Sequence, residues 1–202
     1  MISISNLALS YGDFKVVEGF SAEISAGTIT AITGLNGAGK STLLHAIAGD
    51  HKIAAGTIEL KGLNISTYSL SQLAELRSVA SQSHFYWLAY SAREVIGIAT
   101  KGISQKRIDG FISELGVDEF INQPITELSG GQLQRVALIQ ALARDTALVL
   151  LDEPLASQDF QSRDEIRRVL CRERDNGRTI VLVIHADDKD LEWCDQIINL
   201  DE

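Results

Sequence analysis

The N-terminal third of the chain carries short runs in which apolar and polar positions alternate, such as Ile2-Ser3-Ile4 and Thr28-Ile29-Thr30-Ala31-Ile32, broken at Gly12, Gly19 and Gly27. Successive side chains of a strand point to opposite faces, so this period of two predicts strands joined by tight turns. After Thr33 the pattern changes. A glycine-rich stretch leads into Leu43, Leu44, Ala46, Ile47 and Ala48, spaced like the buried stripe of a helix, with Gly49 placed to end it. From about Leu70 to Arg144 helical spacing dominates, as in Ile108, Phe111, Ile112 and Leu115 before Gly116. Two unbroken apolar runs follow, Ala147-Leu148-Val149-Leu150-Leu151 and Thr179-Ile180-Val181-Leu182-Val183-Ile184, separated by a segment with Ile166, Val169 and Leu170 at helical spacing. Unbroken runs of this length suit strands covered on both faces of a parallel sheet. The pattern predicts an α/β fold with a mostly parallel sheet and a helical insertion, in one domain spanning 1–202.

Composition narrows the class. A chain of 202 residues with 45% hydrophobic and 22% charged residues buries a full core and is neither disordered nor fibrous. No apolar run approaches the roughly 20 residues of a bilayer-spanning helix, and the start Met1-Ile2-Ser3-Ile4-Ser5-Asn6 lacks the basic region of a signal peptide. A cytoplasmic location is expected. The net charge of −9 disfavours binding to nucleic acid and adhesion to anionic lipid alike, so any membrane role calls for a protein partner. Cys171 and Cys194 are too far apart in sequence for a metal pair and too few for a disulfide scaffold, which suits a reducing compartment.

The candidate chemistry begins at Gly34-Leu35-Asn36-Gly37-Ala38-Gly39-Lys40-Ser41-Thr42, a full P-loop pattern between an expected strand and an expected helix. Glycines let the backbone wrap phosphate oxygens with consecutive N–H groups at a helix N-terminus. Lys40 adds a cation for the β- and γ-phosphates, and Ser41 offers a hydroxyl to Mg²⁺. Asp152 and Glu153 follow the apolar run 147–151, at the carboxyl end of an expected strand, where ligands gather in open α/β sheets. Asp152 is the expected Mg²⁺ carboxylate, direct or one sphere out, and Glu153 is placed to orient and deprotonate an attacking water. Two acidic residues opening a surface loop are common in themselves; the P-loop makes them candidates.

Between these lies Leu128-Ser129-Gly130-Gly131-Gln132, followed by Leu133-Gln134-Arg135 and an apolar helix through Ala143. Ser129 and the two glycines form a helix cap with exposed N–H groups and a hydroxyl, which suits either a second anion-binding surface or simply a capped helix. This run resembles the signature sequence of the ATP-binding cassette (ABC) ATPases, and its position between the P-loop and Asp152-Glu153 follows the family's order. The resemblance covers essentially the whole chain. It implies a P-loop NTPase core at about 1–82 and 144–202, with an N-terminal antiparallel β subdomain and a helical signature subdomain at about 83–143.

The resemblance also implies roles that the residues alone do not. Tyr11 matches the aromatic that stacks on adenine, Gln82 the glutamine that reaches Mg²⁺ and water, and His185 the switch histidine at the γ-phosphate; His45, His51 and His84 have no such match. It implies catalytic roles for Glu153, His185 and Gln82, with Ser41, Gln82 and Asp152 as Mg²⁺ ligands and ATP as substrate. Two such subunits, identical or not, would face head to tail, so that Ser129, Gly130, Gly131 and Gln132 of one close over the ATP of the other, with Asp159 in the dimer loop. The dimer would drive integral membrane permease subunits from the inner face of the cell membrane.

The segment His84-Phe85-Tyr86-Trp87-Leu88-Ala89-Tyr90 lies where the family receives a helix of the permease, which marks a docking groove; its rings suit a core as well. The stretch Leu70–Arg77 is similar to importers of iron-siderophore, haem and cobalamin type. A non-transport ABC ATPase of iron–sulfur assembly and an exporter subunit stay open as alternatives, and a catalytically dead regulator is disfavoured by Lys40, Asp152, Glu153 and His185. Two departures stand out. The family's usual Pro-Thr-Ser-Ala-Leu-Asp is Pro154-Leu155-Ala156-Ser157-Gln158-Asp159 here, and the sequence stops at Asp201-Glu202, where the family continues, so a minimal or truncated form is expected.

Overall fold

The computed structural model describes residues 1–81, 90–184 and 191–201. Strands β1 (Ile2–Tyr11) and β2 (Phe14–Ile24) form a hairpin, β3 (Ile29–Thr33) leads into the P-loop, and helix α1 (Lys40–Ala48) follows. The chain returns through β4 (Ile53–Leu60) and β5 (Leu63–Asn64) to α2 (Leu70–Leu76) and β6 (Arg77–Ala80). Helices α3 (Ala92–Ala99), α4 (Gln105–Glu114) and α5 (Gly130–Ala143) come next, then β7 (Leu148–Asp152), α6 (Phe160–Asp175), β8 (Thr179–Val183) and β9 (Gln196–Asn199).

Two sheets result. An antiparallel sheet has the order β2-β1-β4-β5, and a parallel sheet the order β6-β7-β8-β3-β9. The unbroken apolar runs are β7 and β8, at the middle of the parallel sheet and buried at every position. Their alternate residues feed two cores. Val149, Leu151, Ile180 and Leu182 pack with α3, α4, α5 and α6, whereas Leu148, Leu150, Val181 and Val183 pack with α1 and the antiparallel sheet. Burial on this scale contributes about 1.5–3 kcal/mol per large side chain, and here it fixes the level at which the strand ends emerge.

Within the stretch 70–144, where helical spacing dominates, lies one short strand, β6, which pairs in parallel with β7 from Arg77↔Leu148 to Ala80↔Leu151. Arg77 and Ser78 hid this strand, because a four-residue edge strand with two polar residues has no legible period. Both have partners. Ser78 Oγ shares a hydrogen bond of 2.9 Å with Thr146 Oγ1, and Arg77 pairs with Asp50 at 2.8 Å.

The helices start where local chemistry supports a start. Ser69, Ser91 and Ser129 each make a reciprocal capping box with Gln72, Glu94 and Gln132. Such boxes satisfy two otherwise orphaned backbone donors and fix the direction in which each helix enters the body. Helix α4 ends as expected, with Gly116 at φ 61°.

Candidate functional site

β3 delivers the P-loop at the carboxyl end of the parallel sheet, and the loop turns into α1 at Gly39, whose φ is 94°. A Cβ on Gly39 would lie 2.5 Å from Val16 Cγ1 and 3.0 Å from Val17 Cγ2. The hairpin β1–β2 therefore presses on the loop so closely that only glycine fits, which ties the antiparallel sheet to the site. Lys40 is buried, and its Nζ donates to Gly34 O at 2.8 Å and Leu35 O at 2.9 Å. The ammonium thus rests on the loop's own carbonyls.

Ser41 Oγ donates to Asp152 Oδ1 at 2.9 Å, bridging residues 111 positions apart. Asp152 is 3% exposed, and burial pushes its carboxyl above the ordinary carboxylate value, with neighbouring Glu153 adding to the rise and the Ser41 hydrogen bond opposing it. A hydroxyl beside a carboxylate held in a buried place is a donor set for a hard divalent cation, so the residues fit Mg²⁺. Glu153 stands one residue past β7, 8% exposed, with φ at 52°. A left-handed backbone costs a non-glycine residue about 1–2 kcal/mol, and Asn6, Lys61 and Ser157 share it.

Tyr11, Phe14, Val16, Asn36, Gly37, Gly39, Lys40, Ser41, Thr42 and Glu153 line one cleft of about 340 Å³. Tyr11 is 58% exposed at its rim and tilts against His51 with ring centroids 4.8 Å apart. Phe14 faces it across the hairpin, pairing with Tyr11 in register, and is 71% exposed. Sequence reasoning passed over Phe14 and His51. A bare phenylalanine in a hairpin turn carries no motif, and only the Tyr11↔Phe14 register brings it to the cleft.

Asp201 was missed as well. Its carboxylate accepts from the Leu35 N–H at 3.0 and 2.8 Å, holding the first turn of the P-loop from the far end of the chain. No signal in sequence links positions that far apart.

The structure does not bring Ser129, Gly130, Gly131 and Gln132 into this cleft. They form the first turn of α5, with Ser129 and Gly130 exposed. Asp159 caps α6 by accepting from Ser162 N at 2.8 Å, and its hydrogen bonds with Ser162 hold its carboxyl below the usual range. Gln82, His185 and the docking segment 84–89 lie outside the described residues; Tyr90 is described and is 43% exposed.

A family model described as ABC transporter matches residues 17–156, from the second strand through the P-loop and the Ser129 run to the loop after Glu153. The chain belongs to the ABC transporter family. It is an ABC ATPase. Among relatives, it is 30% identical over 204 residues to the hemin import ATP-binding protein HmuV of Rhodococcus jostii, covering 97% of this chain and 70% of that protein. It is 34% identical over 195 residues to the iron(3+)-hydroxamate import ATP-binding protein FhuC of Bacillus subtilis, covering 91% and 72%. In fold, a dimeric ATP-binding cassette in a post-hydrolysis state bound to ADP and phosphate superposes with a TM-score of 0.84 at 24% identity, covering 98% of this chain and 94% of that one.

Proposed function

We propose that this ABC ATPase binds MgATP in the cleft between Tyr11 and Glu153 and that its hydrolysis energises a membrane permease importing a metal chelate. One observation supports the reading above all: Lys40, the Ser41–Asp152 pair and Glu153 converge on a single cleft with an aromatic rim. Tyr11, with Phe14 beside it, offers a flat face to adenine. Residues 34–42 cradle the phosphates, and Lys40 exchanges its two carbonyl partners for β- and γ-phosphate oxygens. Ser41 and Asp152 would hold Mg²⁺, which supplies neutralisation of charge on the phosphates. Glu153 orients the water and takes its proton, with Gln82 and His185 as its expected companions.

The exposed first turn of α5 lies outside the cleft. A head-to-tail dimer, with itself or with a second ABC ATPase, would close each site with Ser129, Gly130 and Gly131 of the other subunit and bring Asp159 to the shared face. The metal-chelate cargo rests on the names of the relatives, hemin import and iron(3+)-hydroxamate import. The permease would hold the chain at the membrane; among the described residues no helix is long and apolar enough to cross one.

Size-exclusion chromatography of Glu153→Gln with and without MgATP tests this reading. The expected result is ATP retention, turnover down by about 100-fold or more, and a shift from monomer to dimer only with nucleotide. Undiminished hydrolysis would remove Glu153 from the chemistry. Binding of ATP with no change in size would remove the closed dimer.

A further inference from the structure

The end of the loop from Glu153 to α6 lies against the first turn of α5, at Ser157 and Gln158. Ala156 N donates to Glu153 O at 3.0 Å, so the loop begins as a tight turn directly on the glutamate. At its far end Gln158, 8% exposed, donates from Nε2 to Gly131 O at 2.9 Å and accepts at Oε1 from Arg135 Nε at 3.0 Å. Its own carbonyl accepts from Arg163 Nε at 3.3 Å. The fit is close, because a Cβ on Gly131 would sit 2.6 Å from Ser157 O. Arg135 donates further to Leu115 O at 3.2 Å and to Ser162 Oγ, locking α5 to α4 and α6. One turn along α5, Gln134 Nε2 donates to Asp152 O at 3.3 Å. The helix with the Ser129 turn therefore grips the Asp152–Asp159 segment at both ends.

The geometry points to Gln158 as a positioning residue that makes the Ser129-Gly130-Gly131 turn and the Glu153 loop move as one body. It does not line the candidate cleft and acts through Gly131 and the loop. A buried amide that both donates and accepts ties the loop to α5 twice, at a backbone carbonyl and at a guanidinium that itself braces α4 and α6. Leucine, the family's usual residue at this place, has the volume but neither bond. The idea rests on the proposal that the Glu153 cleft and the α5 turn serve ATP sites: anything that closes on the α5 turn then shifts the loop carrying Glu153 in the same subunit.

The test compares Gln158→Leu and Gln158→Glu with the full-length parent by ATP affinity, turnover, melting temperature and hydrogen–deuterium exchange with MgATP. Glutamate keeps the acceptor for Arg135 and loses the donor to Gly131. For both variants we expect ATP affinity within about twofold of the parent, a similar melting temperature and turnover about tenfold lower. In the parent, MgATP slows exchange at 36–42, 130–134 and 154–159 together; in the variants slowing persists at 36–42 and disappears at 130–134. Turnover within twofold of the parent, full activity in Gln158→Glu, or a joint fall of affinity, turnover and melting temperature would overturn the assignment. So would absence of ATP-dependent slowing at 130–134 in the parent. If Gln158→Leu fails to fold, Gln158→Glu decides alone. Hydrolysis by Glu153→Gln, run alongside, would count against the underlying site and not against the coupling.

Discussion

At the residue scale the site is a set of groups held in states that nucleotide binding must change. Lys40 is satisfied by Gly34 and Leu35, and Asp152 is held with its carboxyl raised by burial. A carboxyl whose folded value lies above its unfolded one favours folding while protonated. That contribution is complete below the ordinary value of 3.8 and is lost as pH rises through the raised value. Ionisation of Asp152 as pH rises therefore burdens the folded protein. Asp152→Asn, whose amide oxygen still accepts from Ser41, is expected to melt higher than the parent at pH 7 without nucleotide, the gap closing below pH 4. Melting curves from pH 7 downward check this, and Mg²⁺ dependence of ATP binding should weaken in the same variant. Most of these residues were legible because the P-loop is contiguous and Asp152-Glu153 abuts an unmistakable strand. Phe14 and Asp201 were not, since each reaches the site through pairing set by the folded chain.

At the scale of elements, what reads well is what is local. The three serine caps, the Gly49 and Gly116 stops and the apolar strands β7 and β8 all announce themselves within a few residues. The joints between elements do not. Arg178, 6% exposed, donates to Thr146 O, Leu142 O and Arg144 O, each at 2.9 Å, and pairs with buried Glu173 at 3.0 Å. It thereby pins the end of α5 and the start of β7 to the end of α6, so the helix bearing the Ser129 turn and the strand bearing Asp152 share one anchor. Nothing in the sequence distinguishes this arginine from its neighbours. Arg178→Met should cost about 3 kcal/mol or more by leaving buried carbonyls and part of the Glu173 charge unmatched, read as a lower urea midpoint with unchanged slope. A change under about 0.5 kcal/mol would show that the anchor is dispensable.

For the whole molecule, the parallel sheet is a floor shared by two cores, and the candidate cleft opens at the carboxyl ends of its strands, where the β1–β2 hairpin meets the P-loop. The chain carries a net charge of −9, and among the described residues no helix is long and apolar enough to cross a membrane. With vesicles of anionic lipid it should stay in the supernatant at low and high salt, and pellet only when a permease is reconstituted in them; salt-sensitive pelleting with bare vesicles would contradict attachment through a partner. The fold class follows from the order of patterns, and the antiparallel sheet expected from the family resemblance is present, although its pairings, such as Ile4↔Ile58, leave no local period in the sequence.

Glu153 sits in a backbone conformation that favours glycine or asparagine and disfavours what is there. The conformational strain and the proposed chemistry occupy the same position, so the two pull in opposite directions. A lineage selected only for heat tolerance would drift toward a relaxed residue at 153 and lose turnover while keeping its shape.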